Sequence, residues 1–103
     1  MQPMDYKELG NSELTVSCIG LGCVTFGREI EAAASWPIMD HATEQGITLF
    51  DTAEAYGGGA SETAVGEWLA SRQTRDNIVL ATKVNGVLTK ERIISSAESS
   101  LQR

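Results

Sequence analysis

Basic residues are scarce in this sequence: 8 Lys and Arg stand against 14 Asp and Glu, a formal net charge of −6. A chain with that balance has little to offer nucleic-acid phosphates, which demand a cationic face, and it is repelled by anionic membranes. Long apolar runs are missing too, and none approaches the ~20 residues that cross a bilayer. The first residues, Met1 to Asp5, carry neither the basic cluster nor the apolar stretch of a signal peptide. Cysteine is limited to Cys18 and Cys23, too few for a disulfide framework. They have four residues between them and no second ligand pair, so Cys18 reads as a buried thiol rather than part of a zinc site. These absences point to a reducing, cytoplasmic compartment, with no nucleic-acid or membrane partner. Histidine occurs once, at His41, inside a predicted helix, where it reads as a packed or half-exposed helix residue.

What remains is globular. Apolar residues make up 42% of the 103 and charged residues 21%, close to the average for folded domains and unlike a disordered tail. The length suits one small unit. Residues 5–16 read as a hairpin, with Gly10-Asn11 at its turn. Val16 to Ile19 reads as a first strand, Ile47 to Phe50 as a second and Ile78 to Thr82 as a third. Helices are expected between and after them. Ser35 is the expected cap of the first, with Pro37 in its first turn, Ile38, Met39 and Ala42 on one face, and Gly46 closing it. Ser61 is the expected cap of the second, with Val65, Trp68 and Leu69 facing inward. Thr89 is the expected cap of the third, which presents Ile93, Ile94, Ala97 and Leu101 at helical spacing.

Strand-helix alternation implies parallel strands joined by crossover helices. The expected strand starts, Val16, Ile47 and Ile78, are 31 residues apart both times, with no side-chain consensus of a solenoid repeat. Residues 16–103 thus hold three βα units. Eight such units make the usual βα barrel of about 250 residues. The fold class is α/β: a piece of such a barrel or a small open sheet, preceded by the hairpin.

Asp51 follows the second strand and Lys83 the third, which puts both at the carboxyl edge of a parallel sheet, where such folds bind ligands. Alternation gives Asp51 the face of Leu49 and Ile47, and Lys83 the face of Ala81 and Val79. Neighbouring strands lie about 4.8 Å apart, close enough for an Asp51–Lys83 ion pair. Tyr56 sits five residues beyond Asp51, over the same edge. An ammonium beside a phenol stabilises the phenolate and makes tyrosine a better proton donor near neutral pH. The same residues also suit an ordinary strand-end ion pair with a packed tyrosine. Gly57 to Gly59 suit a wide turn better than a flexible lid, Trp36, Trp68 and Phe50 suit the core, and Phe26 suits either the core or an apolar pocket wall. Two glycine patterns fail: Thr25 stands where a dinucleotide fingerprint needs its third glycine, and Arg28-Glu29 where a P-loop needs Lys-Ser/Thr.

Phe50-Asp51-Thr52-Ala53-Glu54-Ala55-Tyr56-Gly57 resembles the FDTAxxYG signature of the aldo-keto reductase family. Ile19 to Gly27 resembles that family's first strand and loop, Ser61-Glu62 with Val65-Gly66 its segment after the tyrosine, and Ile78 to Lys83 its third strand. The resemblance implies the first three βα units of a TIM-type (β/α)8 barrel. It implies reduction of a small carbonyl substrate, an aldehyde or ketone, with NADPH or NADH as cofactor. It assigns Tyr56 as general acid with Asp51 and Lys83 as its partners, and it makes Gly22, Cys23, Val24 and Asp51 candidate contacts of the cofactor. The family's fourth catalytic residue, a histidine after its fourth strand, and its phosphate site have no counterpart within these residues. The 103-residue chain alone is therefore expected to be inactive and to need the remainder of the barrel or to self-associate. A non-catalytic, nucleotide-binding regulatory subunit on the same scaffold is the alternative function.

Overall fold

The computed structural model describes residues 3–103. Strands β1 (Tyr6–Glu8) and β2 (Thr15–Ser17) pair antiparallel. Strands β3 (Gly20–Gly22), β4 (Leu49–Asp51) and β5 (Val79–Ala81) form a parallel sheet in that order. Helices α1 (Ala32–Glu44), α2 (Ala60–Arg72) and α3 (Lys90–Gln102) follow the three parallel strands in turn. The architecture is α/β, with an antiparallel hairpin ahead of three βα units.

The hairpin closes through Gly10, whose φ of +57° suits a residue without a side chain, and through the Leu9 N–H, which donates to the Leu14 carbonyl at 2.8 Å. Val16 and Ser17 belong to this hairpin, so the first parallel strand lies further along than the sequence suggests. Apolar character marked Val16 to Ile19, but the ladder runs through Gly20–Leu21–Gly22, whose glycines hide it from any hydrophobic pattern. Parallel strands consequently start 29 and 30 residues apart, in place of the uniform 31. The hairpin is tied to the amino end of the sheet. Ser17 Oγ accepts from the Thr48 N–H at 2.9 Å, the Ser17 N–H donates to Thr48 Oγ1 at 3.0 Å, and Tyr6 Oη donates to the Gly46 carbonyl at 2.8 Å. The carboxyl end stays clear.

Alternation along β4 sends Phe50 toward the helices, where it is fully buried. Its ring stacks on Trp68 of α2, centroids 5.4 Å apart, among Met39, Ala42, Val65 and Leu69. The Trp68 indole N–H donates to Asp40 Oδ1 at 2.8 Å, and the Arg72 guanidinium donates to both oxygens of Asp40 at 2.9 and 3.0 Å, linking α1 to α2. Ile47 packs against this core and does not share the face of Leu49 and Asp51 expected for it, because it precedes β4 and does not follow the strand's alternation.

Helix ends shift for physical reasons. Helix α1 begins at Ala32, so Pro37 lies inside it and not in the first turn. Pro37 removes the N–H that would bond the Ala33 carbonyl, and Ala33 is exposed, which leaves water to satisfy it. Ser35 is buried and donates to the Ala32 carbonyl. Ile38 is exposed, unlike Met39 and Ala42. Helix α2 is capped by Gly59, and Ser61 turns inward instead of capping. In α3 the Thr89 hydroxyl caps the Arg92 N–H at 3.1 Å as expected. Its apolar stripe is exposed, however: Ile93 by 43%, Ile94 by 49% and Leu101 by 88%. Periodicity reveals which residues share a face but not what covers it. No helix of the described residues is long and apolar enough to cross a membrane.

Candidate active site at the carboxyl edge of the sheet

Gly22, Asp51 and Ala81 stand side by side at the ends of β3, β4 and β5. Beyond them the backbone stays linked, with the Thr52 N–H donating to the Ala81 carbonyl at 2.8 Å. This register delivers Lys83 to Asp51. The Lys83 ammonium donates to Asp51 Oδ1 at 2.7 Å and to the Thr52 carbonyl at 2.8 Å. It also lies 5.1 Å from the centroid of the Tyr56 ring. The structure thus brings Asp51, Tyr56 and Lys83 together.

The hydrogen bond to Asp51 raises the Lys83 amine above the ordinary lysine value, with the phenol of Tyr56 adding to it and partial desolvation opposing it. Asp51 and Lys83 side chains are each half exposed, so solvent screening leaves the pair little weight in overall stability. Its effect is to fix a cation in one place. Because the folded-state value is raised, the pair's contribution is complete below the ordinary lysine range and fades as pH climbs through the folded value. In Asp51→Asn, the Lys83 amine should titrate at lower pH than in the wild type. Carbon NMR of the lysine ε-methylene reads this directly, and an unmoved titration would show that Asp51 does not hold the amine.

The cofactor candidates divide by exposure. Gly22 and Val24 are exposed, and a Cβ on Gly22 would meet nothing within 4 Å. Cys23 is fully buried. Its N–H donates to the Asp51 carbonyl at 2.9 Å, and its carbonyl accepts from Ser61 Oγ at 2.7 Å. Burial pushes its thiol up to about 12, so it is unreactive. The buried cysteine is therefore Cys23, whereas Cys18 is exposed, contrary to expectation, because it follows the hairpin ladder and turns away from the core. Phe26 is 2% exposed and belongs to the core, not to a pocket wall. His41 lies on the outer face of α1, near Glu44. Gly57, Gly58 and Gly59 have φ of 62°, 63° and 99°, which makes this segment a tight left-handed turn into α2. No cluster of His, Cys, Asp and Glu suited to a metal occurs among the described residues.

Sequence reasoning missed the buried hydroxyls behind the edge. Thr52 Oγ1 and Ser61 Oγ are 2.6 Å apart, and with the Cys23 carbonyl they join the loop after β3, the end of β4 and the start of α2. It also missed Glu62, buried on α2, which accepts from Thr82 Oγ1 at 2.6 Å and from Arg103 at 2.7 Å. The available signal was a small hydroxyl residue next to each strand end, Thr52 after Asp51 and Thr82 before Lys83.

The family model for the aldo/keto reductase family matches residues 18–103. The chain belongs to that family. It is 40% identical over 90 residues to Protein tas of Escherichia coli, covering 81% of this chain and 26% of that protein. It is 42% identical over 86 residues to YrpG, an uncharacterized oxidoreductase of Bacillus subtilis, covering 79% of this chain and 26% of that one. Among solved structures it matches the holo form of an aldo-keto reductase from Bacillus halodurans with a TM-score of 0.84 and 34% identity, over 96% of this chain and 36% of that one. The chain therefore spans about a quarter of the length of these curated relatives. Its three βα units correspond to part of an aldo-keto reductase (β/α)8 barrel.

Proposed function

We propose that this chain supplies the proton-donor side of an oxidoreductase that reduces a small aldehyde or ketone to an alcohol with NADPH or NADH. The observation that carries this reading is the Lys83 ammonium, held by Asp51 at 2.7 Å and set 5.1 Å from the Tyr56 ring. A phenol beside a fixed cation suits proton donation, because the ammonium stabilises charge on the phenol oxygen as the proton leaves. Family membership supports the redox class.

The edge fits the nicotinamide end of the cofactor. Gly22 leaves open space where a side chain would stand, and Val24 offers an exposed apolar surface beside it. Gly22, Val24 and Asp51 would hold that end, while the buried Cys23 would serve through its backbone fold alone. When bound, the nicotinamide supplies hydride to the carbonyl carbon. Tyr56 Oη donates its proton to the carbonyl oxygen, and solvent restores it afterwards. Asp51 keeps the lysine protonated and aimed. A thiol as exposed as Cys18 accords with a reducing, cytoplasmic setting. Consumption of NADPH with a small aldehyde tests the reading in protein that contains the remaining βα units. Nucleotide binding without consumption would favour a regulatory subunit on the same scaffold.

Open sheet edges at β3 and β5 and the exposed stripe on α3 lead to a further expectation. Residues 1–103 alone should self-associate and show no turnover. Sedimentation that remains monomeric as concentration rises, or aldehyde-dependent NADPH oxidation by this chain alone, would contradict it.

A further inference from the structure

Asp51 and Lys83 are placed by the sheet, but Tyr56 is not. It lies beyond β4 on a turn in which its N–H bonds the Ala53 carbonyl at 3.1 Å, and the left-handed glycines begin immediately after it. Glu54 sits inside that turn and reaches across it. Its N–H donates to the Lys83 carbonyl at 3.0 Å. Its Oε2 accepts from the Asn85 N–H at 3.0 Å, two residues past Lys83. Arg92, near the start of α3, approaches Oε1 at 3.4 Å and donates through Nε to the Asn85 carbonyl at 3.2 Å. The Glu54 side chain is only 14% exposed, and the Asn85 N–H foremost, with Arg92 assisting, holds its carboxyl below the ordinary glutamate value.

We propose that Glu54 is a positioning residue that clamps the Tyr56 turn to the segment carrying Lys83 and so sets the distance between phenol and ammonium. This rests on the reading of Tyr56 and Lys83 as an acid and its cation. Thr52 ties the segment's entry to Ala81 and Lys83, and beyond it the backbone bond from Glu54 to Lys83 fixes one point, about which the turn can pivot. The carboxylate on Asn85 supplies a second point, and two points fix the orientation of the turn and of Tyr56 at its end. Arg92 extends the clamp to α3.

Glu54→Ala removes the second point and leaves the backbone bond. The readout is the proton NOE between the Tyr56 ring and the Lys83 ε-methylene in the full chain, without cofactor or substrate, alongside a thermal melt. Glu54→Ala should weaken the NOE severalfold in folded protein, with the Lys83 amine still raised above the ordinary lysine value because Asp51 is untouched. Glu54→Gln, which keeps an acceptor for Asn85, should retain most of it, a rescue that a general loss of stability would not produce. Wild-type NOE intensity in folded Glu54→Ala overturns the proposal. If Glu54→Ala does not fold, Asn85→Pro, which removes the N–H that the carboxylate accepts from, decides in the same way: a weaker NOE supports the clamp and an unchanged one overturns it. Carbonyl reduction plays no part in the readout, so failure of the clamp and failure of the reductase reading are separate results.

Discussion

Tyr56→Phe, in protein completed with the remaining βα units, should lower carbonyl reduction by about 10²–10⁴ and leave cofactor binding nearly unchanged. The ring stays, with its place 5.1 Å from the Lys83 ammonium, and only the phenol hydroxyl, the proposed proton donor, is lost. The loss should therefore fall on turnover and not on nucleotide affinity. Steady-state NADPH consumption with a small aldehyde measures the first, and a nucleotide titration the second. Near-normal turnover would show that another group protonates the substrate. An equal loss of nucleotide affinity would show that Tyr56 acts in binding.

Trp68→Ala should be the most damaging single change to the fold. Trp68 is fully buried, stacked on Phe50 at 5.4 Å, and its indole N–H bonds Asp40 at 2.8 Å. Large-to-small substitution of a buried tryptophan costs about 3–5 kcal/mol. A domain's whole stability is about 5–15 kcal/mol, so the folded population falls sharply. Phe50 is the neighbour of Asp51 on β4, and loosening it loosens the strand that carries the carboxylate. Trp68→Phe should cost less, since it keeps an aromatic ring against Phe50 and loses the bond to Asp40 and only part of the indole's volume. Urea unfolding of the three proteins checks the order. A Trp68→Ala midpoint equal to the wild type would mean that the α2–sheet interface does not hold the fold.

The sequence carried the edge of the sheet more clearly than its beginning. Asp51 and Lys83 were legible because each follows an apolar run, and runs of branched and aromatic residues mark buried strands. The start of β3 was not legible, because Gly20 and Gly22 pair through their backbones and give no hydrophobic signal. Ser35 and Ser61 misled for a related reason. A serine before a helical pattern suits a cap, yet both are buried and bond carbonyl oxygens, Ser61 across to Cys23. Thr89 met the same expectation and fulfilled it. Local chemistry is the same in all three, and what differs is the tertiary surface facing the hydroxyl. The stripe on α3 was read correctly as a face, although its exposure depends on neighbours no periodicity can supply. The side-chain contacts of Thr52, Glu54 and Glu62 reach partners 9 to 41 residues away, beyond any local pattern.

The most direct test of the site is Lys83→Met in protein completed with the remaining βα units, followed by aldehyde-dependent NADPH consumption across neutral pH. In the proposed reading the ammonium, 2.7 Å from Asp51, makes the phenol a donor, and methionine keeps its length without its charge. Turnover should drop steeply at every pH while nucleotide binding persists. Wild-type turnover in Lys83→Met would contradict the assignment of Asp51, Tyr56 and Lys83 as one proton-donating unit.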